Sequence, residues 1–328
     1  MKKTLAVSLL LALLLCGCAQ TAPKEREIFA MDTIMTIRVW GNEEDVSAAV
    51  SEINRLDALL SVTNENSEIC ALNHDGEAEL SIDTYDLLIK AFAVSRRTDG
   101  AFDPTVYPLV ELWGFTKDTQ AVPSQSDIDA ALALVGYEQL GNDLDVTDCT
   151  IAGKIDLGGI AKGYTAQKVI DLLADRGIET AFLSLGGNVQ TLGSKPDGEP
   201  WAVGIADPES PSDAIACLRF SGSLALVTSG GYQRFFEENG VRYHHILDPK
   251  TGWPTDTGLA SVTVLAQDGT LADGLSTALF VMGMDKATAL WRESNDFEAV
   301  FITQDGAIFA TAGVASLLTD CEYTVIER

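Results

Sequence analysis

Apolar residues recur at helical spacing between Glu44 and Leu60, at Val46, Ala49, Val50, Ile53, Leu56, Leu59 and Leu60. A second helix is expected through Leu88, Ile89 and Phe92, capped by Asp83 or Thr84, with Gly100 beyond its end. Ser126 opens a third, stopped by Gly136, and a fourth runs from about Lys162 to Arg176, with Gly177 just past it as a left-handed stop. A fifth begins near Ala272 and ends at Gly283. Between the helices lie strand-like runs at Thr33–Trp40, Lys154–Leu157, Thr180–Leu185, Trp201–Ile205, Leu224–Thr228 and Leu259–Ala266. Ala299–Thr303 and Ala307–Thr311 flank Gln304-Asp305-Gly306 and read as a hairpin. Long helices mixed with hairpins and crossovers predict an α+β (mixed α/β) fold. No repeat, low-complexity stretch or long linker interrupts the chain from Ile28 onward.

The first residues follow another pattern. Lys2 and Lys3 precede an apolar run from Leu5 to Leu15, and eleven residues at ~1.5 Å each reach only about half of a ~30 Å hydrocarbon core. A basic end, a short apolar stretch and small residues make a secretion signal. Leu15-Cys16-Gly17-Cys18 resembles the bacterial lipobox, in which cleavage before a Cys leaves that Cys lipidated, and Cys18 fits. The alternative is a plain secretion signal with incidental cysteines. The expected division is therefore a signal peptide over residues 1–17, a lipidated Cys18 and polar tether over 18–27, and one catalytic unit over 28–328. The product would be exported and lipid-anchored to the bacterial membrane, at the outer face of the cytoplasmic membrane or on the periplasmic side. Cys70, Cys149, Cys217 and Cys321 would remain, matching no metal spacing and with nothing to pair them.

Charge narrows the choice of ligand. The 328 residues carry 48 acidic and 22 basic side chains, a net charge of −26, and loss of the two leader lysines takes this to −28. Such a surface repels phosphate backbones and excludes nucleic acid as a partner. A phosphate-bearing substrate would need a cation and a local Lys.

Four segments could carry chemistry. In Ile155-Asp156-Leu157-Gly158-Gly159-Ile160-Ala161-Lys162-Gly163-Tyr164, a strand end, glycines and a helix start place free N–H groups where an anion could sit, although a tight structural turn explains the same pattern. It is neither a Walker A loop nor the dinucleotide glycine pattern. In Ala272–Phe280, the oxygens of Asp273, Ser276 and Thr277 share one helical face; hard oxygens suit Mg²⁺, while an Asp273 N-cap is the plainer reading. Tyr243–Pro249 holds adjacent His244 and His245, of which at most one would face a cleft, either as a base or as a buried hydrogen-bonded ring. Gly100–Phe115 offers Phe102, Tyr107, Trp113 and Phe115, for stacking on an aromatic ligand or for packing a core. Ser184–Asn188 and Thr228–Tyr232 add two glycine turns. No zinc-hydrolase or nucleophile-elbow motif occurs.

Taken in order, Met31-Asp32-Thr33, Gly100–Phe115, Asp156–Tyr164, Ser184–Asn188, Thr228–Tyr232, the His244–Pro254 segment and Asp273–Phe280 resemble the ApbE family of FAD:protein FMN transferases, over nearly the whole exported chain. The resemblance implies a single catalytic unit, for which two lobes with the FAD cleft between them are one form. It implies Mg²⁺-dependent cleavage of FAD, transfer of FMN to a Thr hydroxyl of an exported acceptor and release of AMP. Met31, Thr63, Ala101, Phe102, Asp103, Asp156, Lys162 and Leu247 would line the FAD site, Gly159, Asp273, Ser276 and Thr277 would hold Mg²⁺, and His245 would deprotonate the acceptor. Asp32 stands where the family more often has Gly, and Thr63 where some relatives carry an aromatic. The acceptor would carry a Ser-Gly-Ala-Thr-like segment, as a flavin-bearing subunit of a redox complex would. Two alternatives remain: a Mg²⁺-dependent FAD pyrophosphatase giving FMN and AMP, and a flavin-binding lipoprotein without catalysis.

Overall fold

The computed structural model describes residues 22–117, 119–140, 149–150 and 153–328. The leader, Cys18 and its neighbours fall outside them. In chain order the elements are β1 (Lys24–Ala30), β2 (Thr33–Val39), α1 (Glu43–Leu60), α2 (Glu68–Asp75), β3 (Glu77–Ala78), α3 (Ile82–Arg97), α4 (Tyr107–Leu112), α5 (Gln125–Leu132), β4 (Cys149–Thr150) and α6 (Ala161–Asp175). There follow β5 (Ala181–Leu185), β6 (Asn188–Leu192), β7 (Trp201–Ala206), β8 (Ala214–Phe220), β9 (Leu224–Gly230), β10 (Phe235–Glu238), β11 (Val241–His244) and β12 (Leu259–Ala266). The chain closes with α7 (Gly269–Arg292), β13 (Phe297–Thr303), β14 (Ile308–Thr311), α8 (Ala312–Ala315), β15 (Leu318–Thr319) and β16 (Thr324–Ile326).

A nine-stranded sheet in the order β1-β2-β5-β6-β9-β12-β13-β14-β16 organises the molecule, confirming the mixed helix-and-sheet class. Its pairings are antiparallel except for the last, β14 with β16. Alternation along the strands sends side chains to two separate cores. Val227, Val262, Val264, Ala299 and Phe301 meet α3, α6 and α7 on one face. Leu226, Leu265, Val300 and Ile302 meet the small sheet β15-β8-β7 on the other. Met35, Ile37 and Val39 of β2 pack with α1 and α6. A fourth cluster, around Leu109, Trp113, Phe115 and Ile128, lies under α4 and α5.

Several boundaries differ from the sequence expectation for physical reasons. Lys154–Leu157 is not a strand: Ile155 exchanges both main-chain hydrogen bonds with the Asn73 amide, and Asp156 N–H donates to Pro104 O at 2.7 Å. A side chain thus replaces the neighbouring strand. The second helix is capped by Ser81, whose hydroxyl accepts from Thr84 N–H, instead of by Asp83 or Thr84. The third is capped by Ser124 and ends at Leu132, ahead of Gly136. The fifth starts earlier, behind an Asp268 cap, and Gly283 (φ 74°) is a break inside it, after which the helix resumes. Lys24–Glu27, placed in the tether by the sequence, instead form the outer strand of the sheet, paired to β2 through backbone bonds that need no apolar alternation.

Candidate functional site

A cavity of about 810 Å³ opens beside the starts of α6 and α7, within the range of small-molecule sites. Met31, Thr63, Ala101, Phe102, Asp103, Asp156, Gly159, Lys162, His245, Leu247, Asp273 and Thr277 all line it. Residues separated by more than two hundred positions therefore share one wall. Ser276 does not reach that wall. Its hydroxyl is fully buried, 2.9 Å from its own helix's Asp273 carbonyl and 2.8 Å from Ser229 Oγ, so it braces α7 against β9.

Two close approaches bring the metal candidates together. Gly163 N–H donates to Asp273 Oδ2 at 2.7 Å, and a Cβ at Gly163 would fall 2.2 Å from Gly269 O and 2.5 Å from Asp273 Cβ. Only glycine lets α6 lie this close to α7. At Gly159 a Cβ would stand 3.4 Å from Thr277 Oγ1 and 3.2 Å from the Phe102 ring. The corner thus brings a carboxylate and a hydroxyl beside the Gly159 main chain, with Ser229 Oγ 3.3 Å from Thr277 Oγ1. Among the described residues no group of three His, Cys, Asp or Glu forms a metal cluster. Hard neutral oxygens with one carboxylate fit Mg²⁺, whose shell is ordinarily completed by water and substrate phosphate, and do not fit zinc. Burial holds the Asp273 carboxyl above the usual range, against the pull of Lys162 and Gly163 N–H; a cation in this corner would offset that cost.

The two histidines have different fates. His244 Nε2 lies 3.0 Å from Thr255 O and its Nδ1 accepts from Ile246 N–H at 3.3 Å, so both ring nitrogens are engaged. His245 Nδ1 lies 3.1 Å from Arg234 O. A carbonyl only accepts, so Nδ1 carries the proton and Nε2 holds the lone pair, the form a base requires. Desolvation in the cavity, then the Arg234 cation, lowers its pKa to about 3, keeping the ring neutral.

Arg234, which sequence reasoning missed, lines the cavity and donates from Nη2 to Phe115 O at 2.9 Å. It follows a glycine turn and precedes β10, where a lone Arg reads as surface. With Lys162 it supplies the positive charge of a wall that also carries Asp32, Asp57, Asp103, Asp156 and Asp273. Asp103 lines the cavity, but both its oxygens are engaged: Oδ1 by Thr105 N–H and Oγ1, Oδ2 by Tyr137 N–H. Asp156 Oδ1 accepts from Gly158 N–H at 2.7 Å, which folds the glycine turn, and burial raises its pKa.

The aromatic segment divides its work. Phe102 and Phe115 face the cavity, while Trp113 is fully buried against Phe115, Phe236, Tyr243 and Trp253. Met31 (φ 47°) and Asp32 (φ 58°) form the two-residue β1–β2 turn in the left-handed region, which favours Gly, Asn or Asp. Gly186 and Gly187 make the matching β5–β6 turn. Both tips reach the cavity.

The chain matches the ApbE family over residues 31–301. It is 35% identical over 323 residues to a Treponema pallidum protein named FAD:protein FMN transferase, covering 91% of this chain and 89% of that one. A Klebsiella pneumoniae protein of the same name is 35% identical over 292 residues, covering 86% and 90%. The crystal structure of a Thermotoga maritima ApbE protein superposes with a TM-score of 0.84 at 37% identity, covering 91% of this chain and all of that one. The apo Pseudomonas stutzeri flavinyl transferase ApbE gives 0.78 at 31%, covering 90% and 98%. With the motifs gathered on one cavity and the match running from residue 31 to residue 301, the chain belongs to the ApbE family.

Proposed function

We propose that the protein is an FAD:protein FMN transferase: it cleaves the FAD pyrophosphate, places FMN on a Thr hydroxyl of an acceptor protein and releases AMP. The observation that carries this reading is the pairing, on one cavity, of the hard-oxygen corner at Gly159, Asp273 and Thr277 with a neutral His245 whose Nε2 is free of protein partners among the described residues. Relatives named for this reaction support it.

Asp273, Thr277 and the Gly159 carbonyl, with Ser276 behind them, would hold Mg²⁺, which would supply charge neutralisation and polarise the phosphorus under attack. The chain's own groups do the rest. Lys162 and Arg234 offset the negative charge of the diphosphate in a wall otherwise rich in carboxylates. His245 Nε2 takes the proton of the Thr hydroxyl, which is a poor nucleophile while neutral. Phe102, Phe115, Leu247 and Ala101 offer apolar surface to the flavin, and Met31 and Thr63 close the rim. No stacking aromatic stands at Thr63.

The leader supports export with a lipid on Cys18, and the acceptor would then be exported too. Incubating the chain with FAD, Mg²⁺ and a peptide containing Ser-Gly-Ala-Thr tests the reading by intact mass. A peptide heavier by one FMN less water supports it; free FMN and AMP with an unmodified peptide indicate the pyrophosphatase instead.

A further inference from the structure

Asn188 opens β6, directly after the Gly186-Gly187 turn, and its backbone is fixed by pairing with Val227 of β9. Its side chain is fully buried, at 0% exposure, and the residue is among those lining the cavity. Neither Oδ1 nor Nδ2 has a hydrogen-bond partner among the described residues. Among the described residues the other buried orphans are three hydroxyls able to rotate and a single Gln190 oxygen whose amide nitrogen is bonded. Asn188 is thus the described side chain with both a donor and an acceptor stranded. The amide adjoins the Asp273 carboxylate, whose pKa it helps hold down, without meeting hydrogen-bond geometry to it.

A buried amide with two unmet bonds is costly, and buried polar groups are ordinarily satisfied. Pairing with Val227 of β9 holds the residue's backbone on that side. What fits is a ligand presenting an acceptor and a donor together. Beside Asp273, a phosphoryl oxygen accepts and a water ordered by a divalent cation donates. The amide is also neutral, so it adds no repulsion to a diphosphate that already faces Asp273.

We propose that Asn188 is a positioning residue for the phosphoryl group of a bound dinucleotide, donating from Nδ2 to a phosphoryl oxygen and accepting at Oδ1 from a water of the adjacent cation's shell. The proposal rests on the FAD reading above. It gives the Ser-Leu-Gly-Gly-Asn turn a role beyond its glycines.

Two near-isosteric variants test it, read by thermal unfolding and by FAD titration of the full chain with and without Mg²⁺. In Asn188→Leu the orphan is gone, so the ligand-free Tm holds or rises, while the FAD Kd with Mg²⁺ rises by about tenfold or more. In Asn188→Asp a second carboxylate faces the phosphates, so FAD binds several-fold more weakly without Mg²⁺, and half-saturation by Mg²⁺ moves to lower concentration. A lower Tm in Asn188→Leu with unchanged FAD affinity makes the residue structural and overturns the proposal. Should Asn188→Leu fail to fold, wild-type FAD affinity in Asn188→Asp under both conditions overturns it as well. Wild-type protein that binds no FAD removes the underlying reading, whereas wild-type binding matched by both variants removes this proposal alone.

Discussion

His245 Nδ1 lies 3.1 Å from the main-chain carbonyl of Arg234, and the same carbonyl accepts from His245 N–H. One oxygen thereby fixes both the ring's orientation and its tautomer, leaving the Nε2 lone pair available on the cavity side. Replacing His245 with Ala removes the base and leaves the phosphate wall intact. Transfer to the peptide falls by about 10²–10⁴-fold, while FAD affinity by titration stays near wild type.

The pH dependence follows from the same environment. With the His245 pKa lowered to about 3, the base form persists as pH falls through the ordinary His range. The acceptor kcat/KM therefore shows no acid limb near pH 6.5; a single protonation with a midpoint there would contradict the burial argument. Arg234→Gln removes a cation that disfavours the imidazolium, so any acid limb moves up in pH, and FAD binding weakens.

Asp273 contributes the one carboxylate of the hard-oxygen corner and also receives Gly163 N–H. Asp273→Ala lowers both FMN transfer and FAD hydrolysis by more than about a hundredfold, measured as AMP release. This differs from the His245 variant, in which transfer suffers most. Full Mg²⁺-dependent turnover in Asp273→Ala would remove Asp273 from the metal corner.

Gly163 marks the contact between α6 and α7. A methyl there meets Gly269 O at 2.2 Å, a separation that backbone must relieve by moving. Gly163→Ala destabilises the fold by about 1–3 kcal/mol, read as a fall in Tm, and displaces Asp273 enough to lower activity.

Asp32 occupies a left-handed turn at the cavity mouth (φ 58°). Asp32→Gly relieves the backbone and removes a carboxylate from the cavity lining. FAD then binds up to roughly fivefold more tightly at low ionic strength, consistent with ~1 kcal/mol between charges in water. The difference shrinks as salt is added.

Much of this site was legible because its residues sit in local patterns. The Lys162–Arg176 periodicity placed the start of α6 to within a residue, while the adjacent glycines read as room for an anion and Gly163 instead admits α7. The spacing of Asp273 and Thr277 put both on one helical face, though it could not show Ser276 turning to Ser229. What escaped depends on partners far away in sequence. Nothing near Ile155 announces that the Asn73 amide will take its main-chain bonds. The β1 strand escaped because its first four residues are exposed, so no apolar alternation marks it. Arg234 and Asn188 each looked like a polar residue beside a glycine turn; only the sheet brings both to the cavity.

Covalent transfer through this cavity is decided by the ratio of two products. With FAD, Mg²⁺ and a Ser-Gly-Ala-Thr peptide, wild-type protein should give one equivalent of AMP for each peptide gaining FMN less water, and His245→Ala should lower peptide modification far more than AMP. AMP released with matching free FMN and no modified peptide at any acceptor concentration would contradict it.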